Sequence, residues 1–137
     1  MKRALLAALP FALLSGAAMA ATDPFLGVYH GQGRACFGGL FLRERTLEWH
    51  ASFFRCGPLP YRRIAQERGP YPRVVLELSH TNKACGIKVV ELAYYNEWFW
   101  TAHGYPTREA YERRNEPGWK DSDAPERQIA SCSLTKS

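Results

Sequence analysis

The chain has 137 residues, 46% of them apolar and 23% charged, with a formal charge of +5. That length fits one domain of ordinary size and excludes a multidomain machine. The arginines are scattered, with Arg62-Arg63 and Arg113-Arg114 the only adjacent pairs, so the composition does not point to a nucleic-acid-binding face.

Residues 1–20 read as a secretory signal peptide. Lys2-Arg3 opens the chain, an apolar run follows from Ala4 to Leu14, and Ala18-Met19-Ala20 supplies the small-x-small cleavage pattern. The run is too short to span a bilayer, and Pro10 interrupts it. No later segment is long and apolar enough to be a transmembrane segment. The expectation is a signal peptide over 1–20 and one disulfide-stabilised domain over 21–137, periplasmic or secreted, as a monomer. That domain has 117 residues, with 16 Lys and Arg against 13 Asp and Glu.

The domain reads as strand after strand. Phe25 to Arg34 alternates, with Phe25, Gly27, Tyr29, Gly31 and Gly33 on one face. Three glycines on one face suggest a bent strand or a close backbone approach. Gly38-Gly39 supplies a turn, and Leu40 to Glu44 is a second strand. Arg45 to Phe54 is a third, with Leu47, Trp49, Ala51 and Phe53 on one side. Cys56-Gly57-Pro58-Leu59-Pro60 reads as a turn. Tyr61 to Glu67 and Arg73 to Ser79 follow, divided by Gly69-Pro70-Tyr71-Pro72. Ile87 to Tyr95 is rich in β-branched and aromatic residues, and Glu97 to His103 is the next strand. Thr107 caps a short helix running to about Arg114. Asn115 to Pro125 is loop, and Gln128 to Leu134 is the last strand.

Short strands joined by Gly/Pro turns predict an all-β fold. The expected form is a small antiparallel up-and-down β-barrel of about eight strands, with one short helix before the last strand. A sandwich is the competing architecture. Gly27-Val28-Tyr29 is similar to the G-x-W start of lipocalin-like barrels, with Tyr29 in place of the Trp. The helix before the last strand fits that resemblance, which implies a calycin-like meander.

Cys36, Cys56, Cys85 and Cys132 are an even set in an exported domain, which predicts two disulfides. In a meander the first three fall at one end, and the strand carrying Cys132 starts there. Cys36–Cys56 would clip the first hairpins, and Cys85–Cys132 would pin the closing strand. Cys36–Cys132 is the alternative if the last strand pairs with the first. No cysteine pair has metal-ligand spacing, and His30, His50, His80 and His103 are dispersed, so neither a metal nor another cofactor is expected.

The run Tyr94-Tyr95-Asn96-Glu97-Trp98-Phe99-Trp100 is the most unusual local feature. Alternation sends successive rings to opposite faces, so one set is exposed unless another element covers it. Trp98, Phe99, Trp100, Tyr94 and Trp49 are the candidate residues for binding a ligand or partner. Glu91 is expected on the outside of its strand, because Val90 and Leu92 make the other face apolar. Ser133-Leu134-Thr135-Lys136 matches S-x-x-K by letters only, and no catalytic residues are assigned. The leading expectation is a non-catalytic binding protein of the cell envelope, acting on a small ligand or an envelope protein through an aromatic surface or small cavity. An inhibitor of an exported hydrolase, of lysozyme-inhibitor type, comes second, with Glu116 to Glu126 as an acidic docking loop. A small envelope enzyme comes last.

Overall fold

A computed structural model describes residues 10–12, 22–122 and 128–137. Apart from residues 10–12, the expected signal peptide lies outside the described residues. Eight strands follow in chain order: β1 (Gly27–Gly31), β2 (Gly39–Leu42), β3 (Thr46–His50), β4 (Arg55–Glu67), β5 (Arg73–Leu78), β6 (Val89–Tyr94), β7 (Trp100–Tyr105) and β8 (Ala130–Lys136). Each pairs antiparallel with the next, and β8 pairs with β1, so the sheet is a closed up-and-down barrel. This is the barrel expected from the alternation, and it removes the exposed edges a sandwich would keep. No helix among the described residues is long and apolar enough to cross a membrane.

The barrel interior is solid. Tyr29, Leu40, Leu42, Leu47, Trp49, Leu76, Leu78, Leu92 and Leu134 are buried in one apolar cluster. Eight strands leave only enough interior for side chains of this kind. A second cluster lies outside the sheet, where Val75, Val89 and Tyr105 meet Ala110, Tyr111 and Trp119. The covering element is helix α2 (Arg108–Glu112), followed by a 3-10 turn at Trp119–Asp121. Thr107 caps α2 as expected, its hydroxyl accepting from the Ala110 N–H at 3.0 Å.

One end of the barrel is plugged by the chain itself. Phe25 is buried and meets Trp100 edge-on, with ring centroids 6.2 Å apart. Arg63 lies over Phe25 at 5.6 Å and pairs with Asp23, whose carboxylate also accepts from the Phe25 N–H at 2.9 Å. Lys136 donates to the Pro24 carbonyl and sits over the Tyr29 and Trp100 rings. Lys136 and Ser133 belong to opposite faces of β8, which separates the two ends of the S-x-x-K match.

Three local expectations are corrected. Gly33–Cys36 is a single turn of helix, α1, in place of the end of the first strand. It is reached by the close approach the glycines suggested: a Cβ on Gly31 would lie 1.6 Å from the Cys36 carbonyl oxygen. Cys56 to Pro60 is strand, and the turn falls at 51–54, closed by the Ala51 N–H on the Phe54 carbonyl at 3.1 Å. Pro58 is tolerated there because it sits with Gly57 at a bulge, where the register slips opposite Glu48, and Pro60 stands opposite Thr46 at the very start of β3. Phe53 therefore leaves the face of Leu47 and Trp49 and lies in the turn, while Phe54 packs edge-on against Trp49 at 4.8 Å.

The disulfides are Cys36–Cys132 and Cys56–Cys85, in place of the favoured Cys36–Cys56 and Cys85–Cys132. Closure sets β8 beside β1 and so brings Cys132 to Cys36. The 79–88 connection folds over the start of β4, where the Arg55 N–H reaches the Ala84 carbonyl at 2.9 Å, and this sets Cys85 against Cys56.

If Phe25 is the plug described, Phe25→Ala opens a cavity at the barrel mouth and lowers unfolding stability by about 3–5 kcal/mol. Urea denaturation measures this; a loss below about 1 kcal/mol would show that the N-terminal segment is not part of the core.

Candidate functional site

The aromatic turn between β6 and β7 is built by one side chain. Asn96 Oδ1 accepts from the backbone N–H groups of Trp98 and Phe99, each at 2.9 Å. The Phe99 carbonyl accepts from the Tyr95 and Asn96 N–H groups at 3.0 and 3.1 Å. These bonds satisfy the turn internally and leave its side chains to solvent. Trp98 is 68% exposed and Tyr95 65%. Phe99 is exposed to a lesser degree, at 37%.

The adjoining 69–72 turn is fastened to this one by the Tyr94 N–H on the Pro72 carbonyl, at 2.9 Å. It adds Tyr71, which is 69% exposed. From Tyr71 a file of rings runs inward. Tyr71 is 6.4 Å from Tyr94, Tyr94 is 5.5 Å from Trp100, and Trp100 is 5.5 Å from Tyr29. The exposed tip is thus braced by the core behind it.

The five aromatic residues singled out from sequence therefore separate. Trp98 and Phe99 are at the surface, Tyr94 is half-buried, and Trp100 is buried at the barrel mouth. Trp49 is buried at the opposite side of the interior, against Phe54, and does not belong to this surface. The strand expected over Glu97 to His103 begins only at Trp100, because Asn96 folds 95–99 into a turn. Trp98 and Phe99 therefore leave the strand alternation, while Tyr94 and Trp100 are paired across β6 and β7. Tyr71 and Tyr95 were missed. Tyr71 was legible in principle, since Gly69-Pro70-Tyr71-Pro72 leads into the strand that neighbours β6.

A polar cleft of about 380 Å³ lies on the outer face, under the segment after β7. Glu91 faces outward there, as the pattern of its strand implied, yet it is largely covered. It accepts from Arg73 Nε and Nη2 at 2.9 and 2.7 Å, and Arg114 Nε lies 3.9 Å away. Arg73 also donates to the Tyr111 hydroxyl, and the Arg114 guanidinium stacks 4.0 Å from the Tyr111 ring centre. Two arginines around one carboxylate hold α2 to the sheet. Burial pushes the Tyr105 hydroxyl in the cleft up to about 12.

The four histidines stay apart. His30 meets Ser137, His50 meets Glu48, and His80 meets Ser79. His103 lines the cleft, and its Nδ1 is buried with no hydrogen-bond partner among the described residues. The acidic loop expected at 116–126 is partly outside the described residues. Beside it, Glu116 and Glu109 share Arg113, and Glu112 pairs with Arg108.

No protein family, curated protein or solved structure matches the chain.

Burial lowers the pKa of His103 below its ordinary value, outweighing the opposite pull of Glu91. The unfolded chain then binds a proton at a pH where the folded chain does not. Stability should accordingly fall as pH drops through about 6.5 toward the lower folded value. Urea midpoints at about pH 7.5 and about pH 5.5 test this: wild type should lose more than His103→Gln. Equal losses would place the pH response elsewhere.

Proposed function

We propose that this protein is an exported, non-catalytic binding protein of the cell envelope that docks a partner protein through the Trp98 turn. The observation that carries the reading is Trp98 itself, largely exposed on a turn that Asn96 fixes before any partner arrives. A preset aromatic anchor adds contact area with little ordering cost, and such residues dominate binding energy at protein interfaces. Tyr71, Tyr95 and Phe99 surround it with further apolar area. The filled interior favours a surface contact over an enclosed small ligand. Two disulfides fit an oxidising compartment, and the N-terminal pattern supports export to the periplasm or medium.

Inhibition of an exported hydrolase is the narrower form of this reading. The projecting turn would enter the enzyme's cleft, whereas the ion-paired carboxylates of 109–116 leave little free charge for a cationic target.

The test is affinity capture from envelope extract with the oxidised protein and with Trp98→Ala. The reading requires one stoichiometric protein held by wild type and weakened at least about tenfold by the substitution, the usual effect of removing an interface anchor. Equal retention by both forms would remove Trp98 from the site.

A further inference from the structure

The end of the barrel opposite the Trp98 turn carries a second surface of different chemistry. It is built by α1, the 51–54 turn and the 79–88 connection. The Ser52 N–H meets the Ala35 carbonyl at 3.3 Å, and the Ser52 hydroxyl donates to the Arg34 carbonyl, which joins the first two. The Arg55–Ala84 bond and the Cys56–Cys85 disulfide join the second to the third. Two shallow grooves meet at Ser52, one lined by Arg34 and Phe37, the other by Phe53 and Arg55.

Phe37 and Phe53 are the most exposed aromatic rings of the described domain, at 78% and 84%. Arg34, Arg55 and Lys83 are exposed beside them. Their side chains make no ion pair or hydrogen bond among the described residues, unlike Arg43, Arg62, Arg63, Arg73 and Arg108. Arg45 and Arg68 at the other end are also without such a partner among the described residues, but each adjoins a glutamate in sequence, Glu44 or Glu67. Segments 32–38, 51–57 and 79–88 contain no Asp or Glu. The nearest carboxylate on β3, Glu48, is held by Arg43 and His50.

We propose that this end docks on an anionic phospholipid surface. Phe37 and Phe53 enter the headgroup boundary, and Arg34, Arg55 and Lys83 meet the lipid phosphates. Charge complementarity carries the choice of occupant. These three segments present cations and no carboxylate of their own, as docking on an anionic bilayer requires. Its apolar part is two separate ring tips, which suits insertion between headgroups better than the continuous apolar centre of a stable protein interface. The disulfides hold the three loops in place, so little ordering is needed on contact.

The test is co-sedimentation of the full oxidised domain with vesicles of phosphatidylglycerol and phosphatidylethanolamine, against vesicles of phosphatidylcholine alone, at low and high salt. Binding should need phosphatidylglycerol and weaken with salt. The combined Arg34→Gln, Arg55→Gln and Lys83→Gln variant should lose about a hundredfold in affinity, from roughly fivefold for each charge. Phe37→Ser with Phe53→Ser should lose at least about tenfold. All five side chains are exposed, so thermal unfolding of these variants should match wild type. Trp98→Ala should leave vesicle binding unchanged, which separates this inference from the proposed partner site. Equal binding to phosphatidylcholine, or an unaffected triple-charge variant, would overturn it. Loss of binding by Trp98→Ala alone would assign the lipid contact to the opposite end.

Discussion

Tyr29 pairs with Lys136, His30 with Thr135 and Gly31 with Leu134, and these contacts between β1 and β8 turn an open sheet into a barrel. Without them the first and last strands would each present an unpaired row of backbone groups. The seam is short, and covalent sulfur reinforces it. Cys36–Cys132 joins residues 96 apart in sequence, just beyond the paired stretch. A loop of that size makes the cross-link worth about 4–5 kcal/mol through the unfolded chain alone. The N-terminal plug depends on the same closure, because Lys136 reaches Pro24, Tyr29 and Trp100 only from the last strand.

Closure also decides where function can reside. Inward positions of the strands are occupied by large apolar side chains, so chemistry is displaced to the ends and to the outer face. The outer face of β5 to β7 is spent on α2, held by the Glu91 clamp and by Tyr105, Tyr111 and Trp119. What remains is bipolar. Rings on tightly bonded turns, with Glu44, Glu67 and Glu97 nearby in sequence, occupy one end; rings beside cations, on loop segments without Asp or Glu, occupy the other. The two proposed contacts face apart, which would let one small domain sit between a lipid surface and a partner protein.

Much of the fold was legible because antiparallel strands facing solvent on one side must alternate. Leu47 and Trp49, Val74 and Leu76, and Val90 and Leu92 announced the core, and the Gly31 close approach followed from glycines on one face. The β4 start was missed because Pro58 and Pro60 carry a turn signal locally, whereas a bulge admits Pro58 into the sheet and Pro60 stands opposite Thr46, the first residue of β3. Disulfide pairing was underdetermined for a different reason. A meander places three of the cysteines at one end, and only the β8–β1 seam and the fold of 79–88 choose among the partners. At the surface, the ring run around Trp98 reads as strand from Glu97 on, whereas Asn96 folds it into a turn. Trp49 stood among the candidate binding residues although its alternation with Leu47 already put it on the core face, and period-two counting carried Phe53 past the strand end into a turn. Phe37, Phe53 and Tyr71 lie far apart in sequence and meet their neighbours only through the loops that the fold brings together.

Peptide mapping of the unreduced protein tests the account most directly, because pairing reports which strands meet at the seam. Proteolysis under non-reducing conditions, read by mass spectrometry, should yield linked peptides carrying Cys36 with Cys132 and Cys56 with Cys85. Linked peptides carrying Cys36 with Cys56 and Cys85 with Cys132 would contradict it, since the last strand would then not be held against the first.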